Sequence, residues 1–200
     1  VNNDKNTLIK ALYYFGDIHR ENNDLEKARA ALTECIALCR ETDTSSYLSM
    51  SLTGLGVILY HQNQKEISQK IIDEGLQIAI KENNLWAQSY ALRVKADNLY
   101  YDGNFPEAFS AYKQALEASR SIDDRISTGM ELANLSLLAN VLEDYPACGE
   151  YARAAHAVFQ AIGNEYQQPF PLRMMAYAAM HERDLTHART LCIESLKGNH

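Results

Sequence analysis

Asp24-Leu25-Glu26-Lys27-Ala28, Asn104-Phe105-Pro106-Glu107-Ala108, Asp144-Tyr145-Pro146-Ala147-Cys148 and Asp184-Leu185-Thr186-His187-Ala188 are one short pattern written four times, a capping residue followed four places on by a small one. A weaker copy runs from Gln64 to Ser68. The starting positions differ by 40 or 80 with no insertion, so the chain repeats every 40 residues, in five copies over approximately 5–42, 43–82, 83–122, 123–162 and 163–200. Self-similarity at such a period is the signature of stacked supersecondary units.

Placing the copies in register explains each column by its chemistry. Leu12, Leu52, Leu92, Leu132 and Leu172 form one. One helical turn later come only small residues, Gly16, Gly56, Ala96, Ser136 and Ala176. Ala28, Ser68, Ala108, Cys148 and Ala188 make a second small column, and Cys35, Gly75, Ala115, Ala155 and Ser195 a third. Between those two lie Leu32, Ile72, Tyr112, Ala152 and Cys192, generally bulkier. Small residues facing bulky ones let two antiparallel helices approach and interlock. Capping residues mark a turn inside each copy, as in Asn22-Asn23-Asp24 and Asp102-Gly103-Asn104, and Pro106 and Pro146 suit the first turn of the helix that follows. A second turn joins the copies at Thr42-Asp43, Asn83-Asn84, Asp123-Asp124 and Gly163-Asn164. Each copy is therefore a helix A and a helix B.

The pattern of Leu, small residue, Ala and small residue resembles the tetratricopeptide repeat over the whole chain, most closely from Leu92 through Ala96, Leu99, Asn104-Phe105-Pro106-Glu107-Ala108 and Tyr112 to Ala115. The family's usual unit is shorter. The longer unit here resembles the variant found in helical regions of bacterial signalling ATPases and transcription activators and in animal spindle-orientation adaptors. The resemblance implies an all-α, right-handed superhelical solenoid of five helix-turn-helix repeats, about ten antiparallel helices, forming a single domain over residues 1–200. The start lacks Met and the last copy lacks a polar capping helix, so a fragment of a longer protein is expected, with self-association through the uncapped end as a further expectation.

Composition narrows the partners. With 26 acidic against 19 basic residues the net charge is −7, which repels nucleic-acid backbones and anionic lipid. No apolar run approaches the roughly 20 residues needed to span a bilayer. The start, Val1 to Lys5, has no signal-peptide organisation, and four cysteines in a chain this size are no disulfide scaffold, so a cytoplasmic setting is expected.

Catalytic and cofactor chemistry finds no support in the sequence. Gly54-Leu55-Gly56 lacks the rest of a phosphate loop and sits in a helix. His181-Glu182 with His187 has the wrong spacing for a zinc helix, because Asp184 marks a turn between the histidines. Cys35 and Cys39 share a helix face, but Cys35 belongs to a packing column, which predicts buried, inert thiols. His156 in a Leu and Ile column is read as a core edge, Trp86 as inter-repeat packing, and the Asn134-Leu135-Ser136 sequon as part of a packed helix. No catalytic residue, metal or cofactor is expected.

What remains is binding. In the tetratricopeptide family the A helices line the concave groove, so A-helix positions outside the packing columns are the candidate contact residues: Tyr13, Tyr60, His61, Tyr90, Arg93, Tyr100, Tyr101, Asn140, Arg173 and Tyr177. Tyr and Arg are enriched where proteins meet, since each joins large contact area to hydrogen bonding. Family members that grip chaperone tails carry Lys and Asn at the columns of Tyr13 and Asp17, which do not match here. The expected function is a protein-interaction module, non-enzymatic, within a larger transcription-regulating or signalling protein, holding a protein segment in the groove. The alternative is a sensing domain for a short signalling peptide or small effector.

Overall fold

A computed structural model describes residues 2–45 and 47–197. Val1 and the last three residues of the expected fifth repeat lie outside the described residues. Among the described residues there are ten α-helices and no strand: α1 (Asn2–Glu21), α2 (Leu25–Glu41), α3 (Leu48–His61), α4 (Lys65–Lys81), α5 (Leu85–Tyr101), α6 (Phe105–Ser121), α7 (Arg125–Val141), α8 (Tyr145–Ala161), α9 (Pro169–His181) and α10 (Leu185–Lys197). Odd-numbered helices are the A helices and even-numbered ones the B helices. The chain divides into two compact units, Val1–Asn98 and Leu99–His200, and the division falls inside α5.

One backbone device makes every turn. Asn23, Asp43, Asn63, Asn83, Gly103, Asp123, Glu143, Gly163 and Arg183 all have positive φ, one every 20 residues. The next residue's N–H then reaches back over the end of the preceding helix: Asp24 N donates to His19 O at 2.8 Å, Gln64 N to Leu59 O at 2.9 Å, Asp144 N to Ala139 O at 2.9 Å. That closure satisfies carbonyls the helix would otherwise leave bare. The same next residue then caps the following helix, as where Asp144 accepts from Ala147 N at 3.1 Å and Asp184 from His187 N at 2.9 Å. Helix stop and helix start thus share three residues. Glu143 sits at φ 62° with a Cβ that this conformation disfavours. Glu143→Gly is therefore expected to stabilise the chain by about 0.5–1 kcal/mol in denaturant unfolding.

In the first unit the small columns do what their chemistry implies. A Cβ on Gly16 would lie 2.7 Å from Leu32 Cγ, so α1 and α2 can meet only because that residue is Gly. Gly56 makes the same room for Ile72 between α3 and α4. Gly75 faces the Ser49 carbonyl, and Ser49 Oγ donates to Gly75 O at 2.8 Å, locking those two helices a second time. Ile9, Tyr13, Leu32, Cys35, Cys39, Met50 and Ile58 form the core beneath. Cys35 and Cys39 are both fully buried, and Cys35 Sγ donates to Ile9 O at 3.4 Å while accepting from Ser51 Oγ.

In the second unit the size pairing moves. Ser136 and Ala152 are both small, and the bulk comes instead from Phe159, fully buried over Gly129. Positions 129 and 159 are Ile9 and Cys39 in the first repeat, so large and small have exchanged helices. Gly149 lets α8 approach Ala178 of α9, and Cys148 Sγ donates to Met174 O at 3.6 Å. The A helix of the fifth repeat is shorter than its counterparts. A 3-10 turn over Glu165–Gln167 precedes it, and α9 begins at Pro169. Pro169 and Pro171 have no N–H to give the carbonyls of Glu165 and Gln167, so the first α-helical turn cannot form.

Candidate functional site

The A-helix positions left over from packing converge most closely in the first unit. Tyr13, Asp17 and Arg20 stand at one-turn spacing along α1. Arg20 is mostly buried, and its Nη2 donates to Asp17 Oδ1 at 2.7 Å and to Glu21 Oε1 at 2.5 Å, which fixes the guanidinium in place. On α5, Trp86 and Tyr90 are one turn apart with ring centroids at 6.2 Å, and the Arg93 guanidinium lies 5.4 Å from the Tyr90 ring. Such a cation over an aromatic face is favourable. Buried Met50 and Thr53 of α3 occupy the same columns as Tyr90 and Tyr13, respectively, one repeat away.

Side chains of α1 and α5 lie within electrostatic reach of one another. Burial pushes the Tyr13 phenol well above its usual range, and the Asp17 carboxylate and the Tyr90 phenol push it further. Burial likewise raises Tyr90, while the Arg20 and Arg93 cations oppose that rise. Both phenols therefore stay protonated at neutral pH and keep a proton to donate. The Tyr90 hydroxyl is buried with no hydrogen-bond partner among the described residues. A buried polar atom in that state costs about 1–3 kcal/mol, so it is rare in native chains and marks a place where something else bonds.

The ten candidate residues fall into two sets. Tyr13, Tyr60, His61, Tyr90 and Arg93 belong to the first unit; Tyr100, Tyr101, Asn140, Arg173 and Tyr177 belong to the second. Tyr13 was expected on an open face but is only 6% exposed, because Tyr14 and Tyr47 close over it with centroids at 5.2 and 5.4 Å. It supports the surface rather than forming it. Tyr60 donates its hydroxyl to Asn98 O at 3.4 Å and sits under Lys65, with His61 against its edge. In the second unit Tyr100 packs between Tyr101 and Phe105, and Tyr101 is 71% exposed. Asn140 is half-buried, Arg173 lies over Phe170, and Tyr177 is exposed.

Asp17, Arg20 and Glu21 were not among the candidate residues singled out from the sequence, and neither were Tyr14 and Tyr47. The i, i+3 spacing of Asp17 and Arg20 was the available signal. Trp86 is half exposed beside Tyr90 rather than enclosed between repeats, because the end of α5 that carries it leaves one face open. The second unit brings together a pair that sequence reasoning did not anticipate, Tyr145 and His181, stacked at 3.5 Å and 7°. No group of three or more His, Cys, Asp or Glu side chains that could hold a metal occurs among the described residues. No helix among them is long and apolar enough to cross a membrane.

No family model and no curated protein matches this sequence. Solved structures do. BtubC from P. vanneervenii superposes with a TM-score of 0.84 at 14% identity, over 97% of this chain and 80% of that one. A Rap protein complexed with competence and sporulation factor gives 0.76 at 16% identity, over 96% of this chain and 54% of that one. A signal transduction ATPase with numerous domains and a tetratricopeptide repeat sensor, from Pyrococcus horikoshii, gives 0.77 at 18% identity over 94% of this chain and 30% of that one. The chain thus spans about half of the Rap protein and under a third of the ATPase. Identities this low speak for architecture and not for activity. Ten helices among the described residues, small-to-large interlocking within each unit and these superpositions together show that the chain has the tetratricopeptide-repeat fold.

Proposed function

We propose that the chain is a non-enzymatic protein-interaction module, the partner-binding part of a larger regulatory protein, and that it holds a peptide segment against the A helices of its first unit. The observation that carries this reading is the Tyr90 hydroxyl, a buried donor without a partner, flanked by Arg20 and Arg93. Donors of this kind suit the carbonyl or carboxylate oxygens of a peptide. Asp17 and Glu21 beside them suit its amide hydrogens or a basic side chain. Half-exposed Trp86 supplies the apolar contact that such a site needs. The proposed setting is cytoplasmic, with no direct contact to nucleic acid.

A free signalling peptide as the occupant is the second reading. The Rap structure supports it, having been solved with competence and sporulation factor bound, as does the ATPase, whose tetratricopeptide repeats are a sensor. The two readings separate on length, since a free short peptide suffices for one and a segment within a folded partner is needed for the other.

Panning a display library of random short peptides against the chain tests the site. Recovered peptides should bind Arg20→Ala several-fold more weakly, because Arg20 orients the carboxylates and faces Tyr90. Full binding to Arg20→Ala would overturn the assignment.

A further inference from the structure

Within the second unit an open recess of about 350 Å³ lies where the end of α6 and the start of α7 face α8. Ala157, Val158 and Ala161 of α8 form its apolar wall, and Arg120 of α6 with Arg125 and Thr128 of α7 its polar one.

The first unit shows what fills the equivalent place. There Arg40 Nη2 donates to Glu74 Oε1 at 2.6 Å, an ion pair that ties α2 to α4. Two repeats later Arg40 is matched by Arg120, but Glu74 is matched by Ala154, so the cation is kept and its carboxylate is lost. Arg120 has no ion pair among the described residues. Leu48, Gln77, Ile78 and Lys81 give way to the smaller Thr128, Ala157, Val158 and Ala161, which opens the recess. Ser45 gives way to Arg125, which brings in a second cation. Arg125 Nε donates to Asp123 Oδ1 at 3.3 Å, and both side chains of that pair are exposed. Two guanidiniums against one carboxylate leave the recess positive in a chain whose net charge is −7.

The geometry points to a binding site for a carboxylate on a short aliphatic stem, the group that Glu74 supplies within the first unit and that Ala154 leaves to a ligand in the second. Arg120 takes the carboxylate on its planar fork of donors, and Arg125 adds charge at the rim. The alanines and Val158 take the stem. The site uses none of the residues around Tyr90.

Amide proton–nitrogen correlation spectra of the chain read binding at Thr128, Ala157 and Ala161. At fixed ionic strength the chain is titrated with glutarate and, separately, with a blocked tripeptide carrying one glutamate between alanines. At least one probe should shift these amides saturably, and glutaramide, which lacks the charge, should not. The tighter of the two acids shows whether the carboxylate comes from a small molecule or from a peptide side chain. Arg120→Gln should weaken binding about tenfold, the scale for one hydrogen bond to a charged group. Ala154→Glu restores the pair made by Arg40 and should abolish binding, whereas the uncharged Ala154→Gln should retain it. Melting temperatures no lower than wild type would show that the variants fold. The absence of saturable shifts from both acids would overturn the proposal, as would undiminished binding by Arg120→Gln or equal binding by the two Ala154 variants.

Discussion

Phe159→Ala is expected to lower the stability of the chain by about 3–5 kcal/mol, the range for truncating a buried aromatic side chain. The upper end is favoured because the site cannot collapse. Phe159 is the largest side chain with no exposed surface, and opposite it stands Gly129, where even a Cβ would lie 2.5 Å from the ring. Gly129 itself has no side chain that could move into the gap. The same geometry sets the sign of a second substitution. Gly129→Ala alone should destabilise, since the ring has to shift to admit the methyl. In the Phe159→Ala background it should stabilise, because the methyl then fills part of the cavity and Ala is the better helix former by about 1 kcal/mol. Denaturant unfolding followed by circular dichroism reads all three variants. Additive effects of the two substitutions would mean that the residues do not share the space described.

The fold was legible because packing between helices repeats at fixed positions. Gly16, Gly56, Ala28 and Ser68 are small for reasons that any copy shows, and the structure buries all four. The turns were legible as capping clusters, but the backbone they share was not. Positions 23, 43, 63, 83 and onward share a left-handed backbone, yet they hold Asn, Asp, Gly, Glu and Arg, so a backbone requirement leaves no constant side chain to read. The exchange of bulk between Gly129 and Phe159 was hidden for a related reason. Each residue departs from its own column, and only the contact between them shows that the departures compensate.

The candidate site was legible in residue type and not in depth. Tyr13 lies on α1, and Tyr90 and Arg93 lie on α5. Burial of Tyr13 depends on Tyr14 and Tyr47, the second of which precedes α3 in a stretch with no repeat signal. The surroundings of the Tyr90 hydroxyl include groups of α1 as well as α5, which no single column records.

That hydroxyl gives the proposed site its sharpest test, since Tyr90→Phe removes one oxygen and keeps the ring against Trp86 and Arg93. In the free chain the oxygen is buried and unbonded, so its loss should leave stability unchanged or raise it by about 1 kcal/mol. In the complex the hydroxyl donates to the occupant, so its loss should weaken binding by about tenfold, equivalent to roughly 1.4 kcal/mol. Stability and affinity should therefore move in opposite directions, an outcome that damage to the fold cannot produce. The measurement is calorimetric titration of wild type and Tyr90→Phe with the tightest peptide recovered by panning, alongside their melting temperatures. About tenfold weaker binding by a variant that melts no lower than wild type is the predicted result; equal affinities for the two proteins would contradict it.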